Sequence, residues 1–573
     1  MIGTLTDAIS SLYFLLPMWL ILLFCNIEHK VTRYAALTWF VIGFTAICIL
    51  NLSDLGYYPI TKKRMGAELL DLLSEVPALM SSYIKDYWYL LILLIGFCVV
   101  AFMIFKKQLC RYKNVPQTYT LKLVNIVLAI FLFATIMRGG YGIRPFMAFD
   151  IPSLVDPKLQ WLASNTPFQF IHTLENENVP IETYFDQDEA ERLIGFKKHF
   201  ISKEFKKKNI VFILLESFCS ERIGLFNPVI KPYTPFLDSL LSHARTYRYG
   251  EANGRMTIDA LPSVLSGIPS FMEKNYCYSN YSTNTVHGIS SLLEKEGYTT
   301  AFFYGGVKTT FGFENYMNIN FTKNYFDQRD YDSKYENVGW GVDDHLYLPH
   351  VATKLKTLPQ PFCAALLTVS LHHPFPVPEP YKTILDTIKD PVMKSIMYSD
   401  ISLKLFFAKI KNEEWFKNSI IAICADHTSG SFVNYEANPV NEFAISISFL
   451  AVGDTAFNKV QNHSASQIDM YPTILDYLGY NKPFNCLGVS ALSDKHPTVQ
   501  FGSNGLFHIF DYPYLLDYDN NTKQVIRLCR CNEDRTITVL PINQENQSKA
   551  NELSKLLKAY IQVFSYRINK NQF

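Results

Sequence analysis

Two apolar runs that end in metal-binding side chains constrain the fold of this chain more than any other feature. The first run, Asn209–Leu215, is followed directly by Glu216, and the second begins at Ser419 and ends at Asp426 and His427. Uninterrupted apolar runs of this length are typical of strands buried inside a parallel sheet. Because ligands bind at the carboxyl edge of such sheets, we expect Glu216, Asp426 and His427 to meet there.

The segment from residue 209 to about residue 502 alternates between strand-like and helix-like patterns. This alternation predicts an α/β fold with a mostly parallel central sheet that helices cover on both faces. We expect strands at 209–215, 299–303, 362–368, 419–424 and 444–451, and helices such as 234–243 and 400–411.

The first 140 residues carry four long apolar runs, at about 11–24, 35–50, 87–105 and 121–136. With their aromatic and small polar flanks, these runs approach the ~20 residues that cross a bilayer core of ~30 Å. A cleavable signal peptide is the alternative for the first run, but the run lacks a basic start and three more runs follow it. The sequence therefore predicts an N-terminal region of about four transmembrane helices.

Charge in the loops predicts the orientation. Lys30 and Arg33 stand in the loop 28–34, and the loop 106–122 carries only basic charges, so both loops are expected in the cytoplasm. Everything after Arg138 then lies on the outer side of the membrane. The formal net charge of +1 argues against a nucleic-acid partner.

These patterns divide the 573 residues into four regions. Residues 1–140 form the transmembrane helices, and the proline-interrupted segment 141–208 forms a juxtamembrane linker with short helices. Residues 209–502 form the catalytic α/β domain. Residues 503–573 form a small β-rich piece with a closing helix, at about 544–564.

A candidate nucleophile stands in the segment 253–269. A small, flexible approach leads to Thr257, and an apolar pattern of helical spacing follows it. A hydroxyl at the start of a helix lies where an anion is favoured. The simpler interpretation is that Thr257 only caps the helix. A metal nearby would favour the nucleophile, because coordination lowers the pKa of a hydroxyl.

Short motifs that carry these residues follow one another at 214–218, 254–259, 303–306, 340–344, 372–374, 425–428 and 466–475. In this order they resemble the sulfatase-like lipoteichoic acid synthase family of the alkaline phosphatase superfamily. That family includes phosphoglycerol transferases and is related to phosphoethanolamine transferases. The resemblance covers residue 209 to about residue 479 closely, and it extends to the membrane architecture and to the segment 138–145.

The resemblance implies the principal site residues. Glu216, Thr257, Asp426 and His427 match the positions that hold one catalytic divalent metal, and Thr257 matches the nucleophile that becomes phosphorylated. His372 matches the histidine that contacts the substrate phosphate and assists the leaving group.

Three further residues are candidates for substrate binding. Trp340 and Asp344 match a pocket-wall segment of the family. Independently of the resemblance, Arg255 stands two residues before Thr257, and a guanidinium there could bind phosphate oxygens in bidentate fashion.

The ligand set favours particular metals. Two carboxylates, an imidazole and a threonine oxygen suit Mn²⁺ or Mg²⁺, and the histidine keeps Zn²⁺ as an alternative. A phosphodiester is an anion, so a cation is needed to balance charge during attack.

The chain departs from the family at 304–314. The Gram-positive polymerase carries a histidine and a Trp-x-Arg there, whereas this segment contains no His, Trp or Arg. The departure favours transfer of a single group over polymerisation. Lys308 or Glu314 could instead contact a different headgroup.

The resemblance implies a multi-pass enzyme of the bacterial inner (plasma) membrane, with its catalytic domain on the periplasmic or extracellular side. It would move phosphoglycerol from phosphatidylglycerol to an envelope glycan or lipopolysaccharide through phospho-Thr257. Phosphatidylethanolamine is the alternative donor. A phosphodiesterase remains open, whereas a sulfatase would need a Cys/Ser-x-Pro-x-Arg motif that 256–260 lacks, and a non-catalytic scaffold would lose metal residues that are all present. No protein partner is expected.

Overall fold

The computed structural model describes residues 2–573 apart from 62–63, 67, 113–117, 142–144, 148–149, 156–159, 175–177, 201–203, 273, 309, 332–340, 373–374, 380, 429–434, 437, 494–496 and 504. The chain forms two compact units, Met1–Asn178 and Val179–Phe573. The division falls inside the predicted linker.

The first unit is helical. Its helices are α1 (Ile2–Phe14), α2 (Leu16–Phe24), α3 (Lys30–Thr61), α4 (Glu68–Arg111), α5 (Tyr119–Met137), α6 (Ile151–Leu154), α7 (Gln160–Ala163) and α8 (Thr166–Thr173).

Three segments of these helices are long and apolar enough to cross a membrane: Lys30–Leu55, Trp88–Arg111 and Tyr119–Met137. The first predicted run lies across a bend of 68° between α1 and α2, with Pro17 in the first turn of α2. Proline has no N–H to donate, so a helix readily breaks before it. The described residues therefore give three candidate spans, or four if the bent pair counts as one, and the prediction of four is met only on that count.

An eight-stranded sheet forms the centre of the second unit. Its strands are β1 (Asn209–Leu215), β2 (Arg245–Glu251), β3 (Thr299–Tyr304), β4 (Tyr325–Phe326), β5 (Phe362–Leu367), β6 (Ser419–Ala425), β7 (Ala444–Ala451) and β8 (Gln461–Ser466). Their order is β4-β3-β5-β1-β6-β7-β2-β8. Only β7 runs antiparallel to its neighbours, so the predicted mostly parallel sheet is confirmed.

The second unit also contains helices. They are α9 (Gln187–Leu193), α10 (Pro235–Ser242), α11 (Thr257–Ser266), α12 (Ile289–Leu293), α13 (Phe313–Asn320), α14 (Asp344–Leu355), α15 (Tyr381–Ile384), α16 (Pro391–Ile410), α17 (Glu414–Lys417), α18 (Pro439–Glu442), α19 (Met470–Leu478) and α20 (Gln547–Lys570). Every residue of β1, β5 and β6 is buried, which is why these strands read as continuous apolar runs.

The register of β1 against β6 positions the site. The two strands are parallel neighbours, and Leu215 pairs with Ala425 at their carboxyl ends. Glu216 and Asp426 each follow by one residue, so both carboxylates leave the sheet at the same level. The predicted meeting of these residues is confirmed.

A second sheet of five antiparallel strands follows the first. Its strands are β9 (Thr498–Ser503), β10 (Leu506–Asp511), β11 (Tyr514–Asp519), β12 (Gln524–Cys531) and β13 (Ile537–Leu540), and α20 packs against β10 and β11. The closing helix expected at about 544–564 is present and extends to Lys570.

Candidate active site

Glu216 stands at a sharp turn directly after β1. Ser217 follows with a φ of +54°, which turns the chain away from the strand direction. The Ser217 N–H donates to Asp426 Oδ1 (2.8 Å), and the Glu216 N–H donates to Thr368 Oγ1 (2.9 Å). These bonds fix the two strand ends against each other. A left-handed residue other than glycine is uncommon and concentrates at functional sites.

Glu216, Asp426 and His427 form a cluster with the composition of a metal site. One ligand atom from each lies within 4.8 Å of the others. His427 Nε2 is 3.6 Å from Glu216 Oε1 and 3.5 Å from Asp426 Oδ2. Both carboxylates are buried: Glu216 is 3% exposed and Asp426 is 0% exposed.

The charge of this cluster fits a bound cation. Asp426 Oδ2 is buried without a hydrogen-bond partner, and burial together with the Asp426 charge raises the pKa of Glu216 well above its usual range. Within the described part of the chain, no Lys or Arg forms an ion pair with either carboxylate. Two buried carboxylates side by side are costly unless a positive charge joins them. A divalent metal would supply that charge.

The His427 ring is oriented for this role. Its Nδ1 lies 2.7 Å from the carbonyl oxygen of Thr428, so Nδ1 carries the proton and leaves the lone pair of Nε2 facing the carboxylates. Gln467 holds the preceding backbone by donating Nε2 to the carbonyl oxygens of Ala425 (2.9 Å) and Asp426 (2.8 Å).

Thr257 is the first residue of α11, and its hydroxyl faces the cluster. Its Oγ1 lies 3.3 Å from Glu216 Oε2 and 3.2 Å from His427 Nε2. The capping residue of α11 is Met256, so the interpretation of Thr257 as only a cap is wrong. The geometry leaves the hydroxyl free to act beside a metal.

The approach to Thr257 is rigidly packed. A Cβ added to Gly254 would lie 2.2 Å from the Cβ of Asp259, so only glycine fits this close approach. The Asn253 N–H donates to Gln467 Oε1 (2.9 Å), and Asn253 Oδ1 accepts from the Ile468 N–H (3.0 Å). The loop that carries Thr257 is therefore tied, through Gln467, to the backbone of Asp426 in the cluster.

His372 lies on the same cleft as Thr257. The cleft is lined by Glu216, Thr257, Tyr304, Phe311, Leu367, Thr368, Val369 and His372. Tyr304 is buried, and burial together with the nearby carboxylates raises the pKa of its hydroxyl, which therefore stays protonated. The structure thus brings together five predicted site residues: Glu216, Thr257, His372, Asp426 and His427.

Asp344 lies behind the wall of this cleft. Its carboxylate accepts the N–H groups of Val369 (3.1 Å) and Ser370 (3.3 Å), and its own N–H donates to Ser370 Oγ (3.0 Å). Burial raises the pKa of Asp344 to about 6. These contacts hold the backbone that leads to His372, and substrate binding by Asp344 stays a prediction.

The other two residues predicted to contact the substrate, Arg255 and Trp340, are not found on the cleft among the described residues. Arg255 is 48% exposed; it pairs with Glu442 (2.5 Å) and lies over the Phe443 ring (5.1 Å). A phosphate would have to compete with Glu442 for this guanidinium. Trp340 lies outside the described residues, so its role stays a prediction.

Sequence reasoning did not identify Gln467 as a site residue, although it stands in the motif 466–475. A single amide side chain between Ser466 and Ile468 carries no signal until the fold brings it to Asn253 and Asp426. Lys308 and Glu314, suggested as headgroup contacts, form an ion pair with each other.

Comparisons with known proteins agree with this site. Residues 208–480 match the Sulfatase family model, and this match contains every residue of the cluster. Lipoteichoic acid synthase from Staphylococcus saprophyticus is 26% identical over 532 residues, which cover 85% of this chain and 80% of the relative. The lipoteichoic acid synthase of Staphylococcus aureus is 25% identical over 534 residues, with the same coverage.

Two solved structures share the fold. A protein of the alkaline phosphatase superfamily from Vibrio parahaemolyticus aligns with a TM-score of 0.58 at 20% identity, covering 68% of this chain and 98% of its own. The lipoteichoic acid synthase LtaP from Listeria monocytogenes aligns with a TM-score of 0.55 at 19% identity, covering 67% and 98%. The resemblance drawn from the motifs is confirmed, and so is the alkaline phosphatase-like α/β fold.

Proposed function

We propose that this sulfatase-like phosphotransferase moves phosphoglycerol from phosphatidylglycerol to a hydroxyl of an envelope glycan or lipopolysaccharide, through a phospho-Thr257 intermediate. The observation that carries the proposal is the Thr257 hydroxyl between Glu216 and His427, on the cleft that His372 lines. Similarity to lipoteichoic acid synthases supports a phosphoglycerol donor.

Glu216, Thr257, Asp426 and His427 would hold one divalent metal, Mn²⁺ or Mg²⁺, with Zn²⁺ as the alternative. When bound, the metal supplies positive charge that lowers the pKa of the Thr257 hydroxyl and balances the charge of the phosphate.

The residues of the chain then carry out two displacements. Thr257 Oγ1 bonds to phosphorus while the bond from phosphorus to the diacylglycerol oxygen breaks. The hydroxyl proton has an acceptor in Glu216 Oε2 at 3.3 Å, and His372 gives a proton to the leaving oxygen. In the second displacement His372 takes the proton of the acceptor hydroxyl, whose oxygen bonds to phosphorus as the bond to Thr257 breaks, and Thr257 recovers its proton.

The membrane helices give this reaction its setting. A phospholipid donor stays in the bilayer, so an enzyme anchored by α3, α4 and α5 finds it by a search along the membrane. The basic loops at 28–34 and 106–122 support an inner-membrane protein with its catalytic domain on the periplasmic or extracellular side.

Transfer of a single group is favoured over polymerisation. The segment 304–314 has no His, Trp or Arg, and its lysine, Lys308, is paired with Glu314. A pair of this kind presents little net charge to a polyanionic chain.

Peptide mass spectrometry after incubation with metal and either phosphatidylglycerol or phosphatidylethanolamine tests the proposal. We expect a phosphoglycerol adduct on the Thr257 peptide of the wild type and of Thr257→Ser, and no adduct on Thr257→Ala. A phosphoethanolamine adduct would identify the alternative donor. Diacylglycerol release without an adduct would contradict the covalent mechanism, and steady release without any acceptor would indicate a phosphodiesterase.

A further inference from the structure

Arg222 is a buried cation close to the metal cluster that the proposed function does not use. It ends the 3-10 turn Ser220–Arg222, a few residues after β1 and Glu216. The residue is 7% exposed. One guanidinium nitrogen donates to the carbonyl oxygen of Ser217 at 3.4 Å, which is longer than a normal N–H···O bond.

In the part of the chain that the structure describes, the charge of Arg222 is not matched by an opposite charge. Across the described ranges of the chain, no carboxylate lies within ion-pair distance of its guanidinium; its contacts are the Ser217 carbonyl and the Phe375 ring, 5.9 Å away. A charge taken out of water without a counter-charge is costly. Such an arrangement is explained when a ligand supplies the missing anion.

Two other cations on neighbouring segments are paired with carboxylates. Lys308 pairs with Glu314, and Arg255 pairs with Glu442. Of Arg222, Arg255 and Lys308, Arg222 is therefore the cation whose charge is not paired within the described residues and could be matched by a ligand.

Arg535 is a second buried arginine, and its contacts can be compared with those of Arg222. It is 4% exposed and also lacks a carboxylate partner among the residues described. Its guanidinium lies against two rings, those of Tyr249 (5.2 Å) and Tyr435 (5.7 Å), and donates to the carbonyl oxygen of Arg248. Among the described residues each guanidinium donates one hydrogen bond, and Nη1 of Arg535 is buried without a partner. The difference is in position: Arg535 packs against two rings away from the metal-type cluster, whereas Arg222 contacts one ring and the Ser217 turn beside that cluster.

The position of Arg222 connects the two ends of the catalytic machinery. On one side, its partner Ser217 donates its N–H to Asp426 Oδ1 and its hydroxyl to Glu216 Oε1 (2.7 Å). On the other side, the N–H of Phe375 donates to the carbonyl oxygen of His372 (2.8 Å). The guanidinium thus lies between the turn that carries the metal ligands and the turn that carries His372.

We propose that Arg222 binds the substrate phosphate, donating its N–H groups to a non-bridging oxygen of the group that is transferred. A guanidinium matches phosphate geometry and stays charged at every relevant pH. Arg222 then supplies from the β1 turn the positive charge that the segment 304–314 lacks. The assignment rests on the proposed function, because it takes the reacting phosphate as the ligand.

The test compares full-length wild type with Arg222→Lys and Arg222→Gln, each loaded with Mn²⁺ in vesicles that contain phosphatidylglycerol. We expect Arg222→Gln to raise the KM for phosphatidylglycerol by about 10- to 100-fold, and Arg222→Lys to recover part of that loss. Manganese content should equal that of the wild type. An unchanged KM in an active, metal-loaded Arg222→Gln would overturn the assignment.

A binding measurement separates this role from a structural one. In the Thr257→Ala background, calorimetry with sn-glycerol 1-phosphate should show affinity reduced at least about 10-fold by Arg222→Gln. Arg535→Gln is the matched control, because it also removes a buried guanidinium; it should lower the unfolding temperature without changing this affinity. If Arg222→Gln loses manganese and thermal stability and keeps its affinity, Arg222 only supports Ser217 and the assignment is wrong.

Two controls identify the ligand and the cause of a failure. Inorganic phosphate is titrated in parallel with sn-glycerol 1-phosphate. If Arg222→Gln weakens the affinity for inorganic phosphate alone and leaves the KM for phosphatidylglycerol unchanged, the assignment of Arg222 to the headgroup phosphate is wrong. If the wild type itself releases no diacylglycerol, the proposed function fails. If the wild type is active and the variants match it, only the role of Arg222 fails.

Discussion

Two neighbouring parts of the active-site cleft carry opposite charge imbalances. At the metal end, Glu216 and Asp426 are buried with a histidine and without a lysine or arginine partner in the described chain. Beside Ser217, Arg222 is buried, and no carboxylate among the described residues pairs with it. The first imbalance calls for a cation and the second for an anion, and a metal ion with a phosphate satisfies both. The comparison shows how unpaired buried charge indicates the ligand of a site.

A third buried charge gives the contrast. Glu251 ends β2; its Oε2 accepts the Thr498 hydroxyl (2.8 Å), whereas its Oε1 has no hydrogen-bond partner. Burial raises the pKa of Glu251 to about 8. The one metal-type cluster found among the described residues does not include it. At Glu251 a proton can neutralise the carboxylate, whereas Glu216 and Asp426, together with His427, also offer ligand atoms from three side chains to a cation.

The largest expected effect is that of removing the nucleophile. Thr257→Ala should lower diacylglycerol release from phosphatidylglycerol by about 10³-fold or more, because the covalent step loses its oxygen. Elemental analysis should still find metal, since Glu216, Asp426 and His427 remain. Thr257→Ser is the control and should retain measurable turnover. Equal activity of Thr257→Ala and wild type would remove Thr257 from the mechanism.

Asp426→Asn is expected to have the next largest effect: it should lower metal binding and activity but raise the stability of the metal-free protein. The variant should lose bound metal and about 10²-fold or more of its activity. Without metal, however, it should be more stable than the metal-free wild type by about 1 to 3 kcal/mol, because one of two adjacent buried charges is gone. Denaturant unfolding of both proteins in EDTA measures this difference. A less stable variant in EDTA would show that the two carboxylates do not repel each other.

Asp344→Asn should have a moderate effect on turnover. The amide can replace only one of the two acceptors that hold the N–H groups of Val369 and Ser370, so His372 is positioned less well. We expect kcat to fall by about 10-fold with metal content unchanged. Hydrogen exchange at Val369 and Ser370 should accelerate. Asp386→Asn, at an exposed aspartate, should change neither quantity, and unaltered exchange in Asp344→Asn would exclude the positioning role.

The smallest effect on activity is expected at Glu251, where the change is in stability and depends on pH. The pKa of Glu251 is raised from about 4.5 in the unfolded chain to about 8 in the folded one, so between these values only the folded protein holds the proton. Stability contributed by this group therefore falls as pH rises, by about 1.4 kcal/mol per pH unit. Glu251→Gln should lose that slope relative to the wild type in urea unfolding from pH 5 to pH 8. Parallel stability profiles would mean that Glu251 is ionised in the fold.

The two parts of the cleft also differ in how far the sequence predicts them. Glu216, Asp426 and His427 were predicted because each follows an apolar run, and the pairing of β1 with β6 brings such strand ends together. Arg222 gives no comparable signal. Its place depends on the left-handed turn at Ser217 and on a 3-10 turn, and neither has a sequence period.

Local backbone events explain the other differences. The predicted first membrane span is interrupted because Pro17 breaks the helix between α1 and α2. Helix α16, expected at 400–411, begins at Pro391, where the Asp390 side chain accepts the N–H groups of Val392 and Met393. Apolar periodicity indicates where an element packs, whereas caps and prolines decide where it begins and ends.

The most direct test of the account is intact-mass spectrometry of the wild type with phosphatidylglycerol, first in EDTA and then after Mn²⁺ is restored. The account predicts no adduct in EDTA and a phosphoglycerol adduct on the Thr257 peptide once the metal returns. An adduct that forms equally well in EDTA would contradict a metal-dependent Thr257, and an adduct on any other residue would contradict the proposed nucleophile.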